Sequence, residues 1–310
     1  MKIVKFLFLA FLVNQTVAQE QVQYKIIADE PRKINNFSCN IDLAQMDFGV
    51  SNFDGASFNI GVWGHGMFKQ KLGVDYTFRY GWLTFGKFSD KTLKNHLNIQ
   101  LGGFFIFNQR TKFGSNKVIL KSTDGGVTSD GRRITVTTFI NVPSGKWKYK
   151  AVRGGIYLNR SILSTQTAGG DVASNYYIFG AYGGICFGST RRIFIQTDKY
   201  GERGVVSHLR VCLDALITPI NNVPSAVIAS GVGKISTSPI GARLLVQALP
   251  TLQRKDRKKK YKTAMTAEVE VGYRMVDGIY FAGTLSIPIS RSIKFLRGEE
   301  EDQTIKRTTE

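Results

Sequence analysis

Hydrophobic and polar residues alternate along this chain from about residue 43 to residue 290. In "GVDYTFRYGWLTF" (73–85), Val74, Tyr76, Phe78, Tyr80 and Trp82 share one phase, while Asp75, Thr77, Arg79 and Gly81 share the other. Successive side chains of an extended chain point to opposite faces, so the stretch predicts a strand with one apolar and one polar surface. The same period recurs at 56–68, 95–110, 175–188, 204–217, 240–249, 266–275 and in the hairpin that turns at "VDG" (276–278). Weaker strands are expected at 44–53, 115–122, 133–142, 146–158 and 191–198. No helical period of useful length competes with them, so the predicted fold is all-β, with about 12 strands. The separators "DG", "SG", "STRR" and "KYGERG" read as hairpin turns.

Period alone does not say which face is inside, because a soluble sandwich and a membrane barrel share it. The polar phase carries mid-strand charges of both signs: Asp75, Arg79, Arg210, Asp214, Arg243, Glu268, Glu270 and Arg274. Opposite charges two or four residues apart suit a water-filled or salt-bridged lumen, with Asp75 and Arg79 pairing to narrow it. The apolar phase is nearly free of charge, as a lipid-facing surface must be when each Lys or Arg at the bilayer midplane costs about 2–4 kcal/mol. One stretch runs against the pattern. In "GKWKYKAVRGGIYLNR", Trp147, Tyr149 and Arg153 share a phase, so a lipid-facing register calls for a bulge near Ala151 and Val152.

With its alternating strands and short turns, the chain resembles the outer-membrane β-barrel proteins of Gram-negative bacteria. The resemblance is architectural, covers roughly residues 44–290, and implies a closed antiparallel transmembrane β-barrel in the outer membrane.

The first residues agree with export. Lys2 and Lys5 precede an apolar run from Phe6 to Val13, and Thr16-Val17-Ala18 supplies a small-residue cleavage site, the pattern of a signal peptide over residues 1–18. Residues 19–43 read as an irregular N-terminal segment, 44–290 as the β-barrel domain, and 291–310 as a polar, disordered tail.

The chain carries 42 Lys+Arg against 23 Asp+Glu, a formal charge of +19. In an exported protein this excess points to anionic lipid headgroups, lipopolysaccharide phosphates or an acidic protein partner rather than to nucleic acid. Its densest run, "RKDRKKKYK", places Arg254, Lys255, Arg257, Lys258, Lys259, Lys260 and Lys262 in one loop; it is either such a contact or a solvated loop. If the termini are periplasmic, this loop falls on the side where short turns are expected.

Little in the sequence suggests catalysis or a cofactor. Of the three histidines, His65, His96 and His208, His208 shares a phase with Asp214 but stands six residues away, about 20 Å along a strand. No metal-ligand spacing occurs, and no cofactor is expected. Cys186 and Cys212 lie on the polar phase and either pair or stay as small unpaired residues; Cys39 is left over. Three functions are open: a non-enzymatic accessory or scaffold component of a cell-envelope complex; a narrow channel whose arginines bias it toward small anionic solutes; or a secreted soluble β-sandwich adhesin.

Overall fold

The computed structural model describes residues 22–32, 37–49, 55–68, 71–86, 96–167, 170–222, 238–254, 265–275 and 278–288. Within them the chain is all-β, with eleven antiparallel strands and no helix: β1 (Tyr24–Asp29), β2 (Phe37–Gly49), β3 (Gly55–Phe68), β4 (Leu72–Gly86), β5 (His96–Val127), β6 (Arg133–Thr167), β7 (Gly170–Thr197), β8 (Gly201–Asn221), β9 (Ile240–Arg254), β10 (Thr266–Arg274) and β11 (Gly278–Pro288). Strands β2 to β11 pair with their neighbours in chain order, and β11 pairs back onto β2, so ten strands form a closed ring. β1 lies outside the ring, on the edge of β7.

The count falls short of the expected dozen because six of the expected segments fuse into three strands. "TKFG" (111–114) does not interrupt β5, "SG" (144–145) does not interrupt β6, and "STRR" (189–192) runs straight through β7. Each of these stretches finds a complete ladder partner, as in Ser144 on Gly114 and Arg191 on Ser207, so local turn preference is overruled by cross-strand hydrogen bonds. The expected turn at "KYGERG" does form at 198–200, where Gly201 takes the positive φ of 67° that a side chain would resist. Residues 24–29 and 37–43 are strand rather than irregular. The expected signal peptide (1–18) and the expected tail (291–310) lie outside the described residues.

Burial is inverted relative to a water-soluble core. Ile60, Phe78, Leu101, Phe105, Ile185, Leu213, Leu244, Val271 and Phe281 are exposed on the outer wall of the ring. Asn40, Gln45, Asn59, Arg79, Arg210, Asp214, Arg243 and Glu268 are buried inside it. Apolar side chains are interleaved with these polar ones inside the ring. Met67, Phe104, Ile106, Trp147, Tyr149 and Leu245 form one apolar cluster, and Tyr157, Tyr176, Ile178, Tyr182, Leu216 and Met275 form another.

The stretch around Arg153 therefore needs no bulge of its own. Trp147, Tyr149, Ala151 and Arg153 all point inward on one unbroken phase, because here the inward aromatics are part of the interior filling. The register shift lies on the neighbouring strand, between Ile106 and Asn108 of β5.

Beyond the ring, the distal parts of β5, β6, β7 and β8 continue as a separate module joined by β1. Val118, Leu120, Val142, Ile193, Ile195 and Val205 are almost fully buried there. The outward phase of β7 records the change: Tyr177, Phe179, Ile185 and Phe187 are exposed, whereas Ile193 and Ile195, on the same phase, are covered. Arg203 ties the two layers by donating from Nε to the carbonyl of Leu120 at 2.8 Å, and the Asp29 carboxylate accepts the Gly145 N–H.

Candidate functional site

The interior of the ring is the part of the molecule with concentrated chemistry. Alternation brings it about, since each strand sends every second residue inward. All eight charges expected in a lumen stand on the inner face, and the structure adds Asp42, Asp47 and Arg153 to them. Among the described residues, five arginines (79, 153, 210, 243 and 274) thus meet six carboxylates (Asp42, Asp47, Asp75, Asp214, Glu268 and Glu270).

The pairs are not those of the sequence pattern. Residues i and i+4 of one strand lie roughly 13 Å apart, out of reach of a direct ion pair, whereas a strand elsewhere on the ring presents its charge at contact distance. Arg210 of β8 donates from Nη1 and Nη2 to the two oxygens of Asp75 on β4, at 2.6 and 2.8 Å. Arg79 donates from Nε to Asp42 at 2.9 Å and from Nη2 to Glu268 at 2.7 Å. Asp214 binds Arg243, its register partner on β9, at 2.8 Å, and has Arg153 at 3.4 Å. Arg243 also donates to Gln100 at 2.7 Å, and Arg274 pairs with Asp47 at 3.1 Å. Arg210, Asp75, Arg153, Asp214, Arg243 and Glu270 form one chain of ion pairs, with Asp42–Arg79–Glu268 and Asp47–Arg274 as separate groups beside it, and aromatic rings pack against the arginines. Arg153 and Arg243 both approach the Tyr182 ring, at 4.8 and 4.9 Å, and Arg210 lies 4.8 Å from the centre of Phe104.

Paired glycines make room for this filling. A Cβ on Gly102 would meet Tyr182 Oη at 2.2 Å, and one on Gly184 would meet Asp214 Oδ1 at 2.6 Å. Tyr182 and Asp214 therefore occupy space that a side chain at these two positions would take. Which side chain each glycine accommodates is set by the neighbouring strand. A cavity lined by Asp75, Gln100, Arg153, Tyr182, Glu268 and Glu270 measures about 10 Å³, about the space one water needs.

Ser38 and His65, register partners on β2 and β3, meet at 2.8 Å between Oγ and Nδ1. Asp75 is the register partner of His65 on the other side, but both of its oxygens are held by Arg210. Among the described residues, no carboxylate accepts a hydrogen bond from the second ring nitrogen of His65, and the ring packs edge-on against His208, 5.5 Å between centres. No group of His, Cys, Asp or Glu suited to a metal ion occurs among the described residues.

Cys186 and Cys212 are register partners on β7 and β8 and form a disulfide, fully buried inside the ring; Cys39 is free. The link closes the β7–β8 hairpin at the base of the distal module. Replacing Cys212 with Ser, or reducing the bond, is expected to cost about 2–4 kcal/mol. The check is a lower midpoint of thermal unfolding followed by far-ultraviolet circular dichroism.

Of the basic run, Arg254 is the last residue of β9; Lys255, Arg257, Lys258, Lys259, Lys260 and Lys262 lie outside the described residues. Comparison of the sequence with protein-family models and with curated proteins finds no match.

Proposed function

We propose that the ten-stranded ring is an outer-membrane β-barrel of closed interior, and that it serves as a non-enzymatic scaffold or accessory component of a cell-envelope complex. The observation that carries this reading is the pairing of an apolar outer wall with a charge-matched, filled interior. The outward apolar positions of β7 run from Tyr177 to Phe187, eleven residues by their numbering, which is the length a tilted strand needs to cross a bilayer. In water such a wall would be a large exposed apolar patch; in lipid it is the favourable surface.

A channel asks for the opposite interior. Selective conduction needs unpaired charges or carbonyls along an open path, but Arg79, Arg210, Arg243 and Arg274 are each paired with a carboxylate from another strand. The distal module gives the scaffold reading its contact surface, since it projects past the apolar wall with a water-soluble type of core.

Planar-bilayer recording of the purified protein tests the closed state. No stepwise conductance is expected at any applied voltage, and discrete openings would favour the channel reading. Affinity purification from native membranes tests the scaffold role. A stoichiometric envelope partner is expected, and recovery of the protein alone would count against it.

A further inference from the structure

Three adjacent strands carry a cluster of cations where the apolar wall ends. On the outward phase, Lys112 of β5 stands opposite Lys146 of β6, and Arg110 opposite Lys148. Arg191 follows Thr190, the register partner of Trp147, and so stands beside Lys146. One step lower, Lys150 reaches toward the ring of Phe187, 6.0 Å from its centre. The rows below are apolar, with Phe105 opposite Val152 and Val152 opposite Ile185, all exposed. None of the register positions named here carries a carboxylate, and none of these six cations has a described ion pair.

Like charges directly opposite on neighbouring strands destabilise a sheet. Two such pairs in succession, with a third strand adding Arg191, would be selected against on a bare surface. The Nε of Arg191 is buried and lacks a protein hydrogen-bond partner. Lys146, which lies beyond the apolar wall, has its pKa lowered by partial burial and then by repulsion from Arg191 and Lys148. An anion seated among these groups removes both costs.

Resting on the barrel reading above, we infer that this face of β5, β6 and β7 binds a lipid with a phosphate-bearing anionic headgroup. The phosphate sits among Arg110, Lys112, Lys146, Lys148 and Arg191, and the acyl chains lie along the Phe105, Val152 and Ile185 rows. The site is built for both parts of the ligand, because the cations end where the apolar rows begin. It is separate from the basic run at 254–262.

The test is native mass spectrometry of the detergent-solubilised full chain, with phosphatidylglycerol and phosphatidylcholine of equal chain length in competition. Wild type is expected to retain phosphatidylglycerol preferentially, and K146Q/K148Q to lose roughly tenfold of that preference, given the contribution of each cation near an anionic surface. K25Q/K121Q removes the same charge from exposed positions of β1 and distal β5 and is expected to behave as wild type. Excess inorganic phosphate should leave the lipid bound; displacement by phosphate alone would overturn the acyl part of the site. Equal retention of the two lipids by wild type, no change in K146Q/K148Q, or an equal loss in K25Q/K121Q would overturn the inference. Fractionation and heat-modifiable mobility, measured on all three proteins, separate the two readings. A membrane-embedded wild type without lipid preference overturns this inference alone, and a wild type recovered from the soluble fraction overturns both.

Discussion

Asp214→Ala is expected to be among the most damaging single substitutions in this protein, with a loss of about 3–5 kcal/mol. Asp214 is buried in the centre of the ring, holds Arg243 at 2.8 Å and faces Arg153 at 3.4 Å. Removing it leaves two guanidinium groups in an enclosed space with less counter-charge, and a buried cation without a partner costs far more than the pair gains. Arg153 still has Asp75 at 3.9 Å and Arg243 still has Glu270 at 3.6 Å, which keeps the effect below complete loss of fold. Urea unfolding followed by far-ultraviolet circular dichroism checks the magnitude. A second variant, D214A/R243L, removes the orphaned charge as well and is expected to recover part of the loss. If D214A unfolds at the same urea concentration as wild type, the network does not hold the ring together.

Trp147→Ala is expected to cost a comparable amount, about 3–5 kcal/mol, by a different mechanism. Trp147 is fully buried in one of the interior's apolar clusters, with its ring 4.8 Å from that of Tyr149. Truncation leaves a cavity that strands on a closed ring cannot collapse to fill. The variant should unfold earlier yet stay silent in planar bilayers, because the Arg210–Asp75 and Arg243–Asp214 layer still blocks the interior below it. Conductance appearing in W147A would mean that the aromatic cluster, not the charge network, is the seal.

The two substitutions differ in how far their consequences could be read from the chain. Asp214 is recognisable from the alternation of "GVVSHLRVCLDALI" as a residue of the polar phase, whichever face that phase takes. Trp147 is not, because its phase looks like an apolar outer wall until Arg153 is seen on the same side. Alternation states that two faces exist and differ; where both faces carry aromatics, it loses its power to say which is which. The distal module shows the same limit. Ile185 and Ile193 occupy one phase of one strand, yet the first is exposed and the second buried. The difference comes from β1 and the β5–β6 hairpin, which cover the second position and not the first.

Turn signals were informative only where no partner strand competed. Asp198–Tyr200 forms its turn, while "STRR" and "SG" are drawn into ladders because β8 and β5 offer hydrogen bonds at those positions. Three expected strand breaks were lost in this way.

By itself, the sequence determined the all-β class, the common phase of the charged residues in most strands and the turn between β7 and β8, since side-chain alternation and turn chemistry act over a few residues. Only the tertiary structure decided that ten strands close into a ring, that Asp75 meets Arg210 from 135 positions away and that Cys186 is bonded to Cys212. Those pairings depend on register and closure, and neither is written in the period of any single strand.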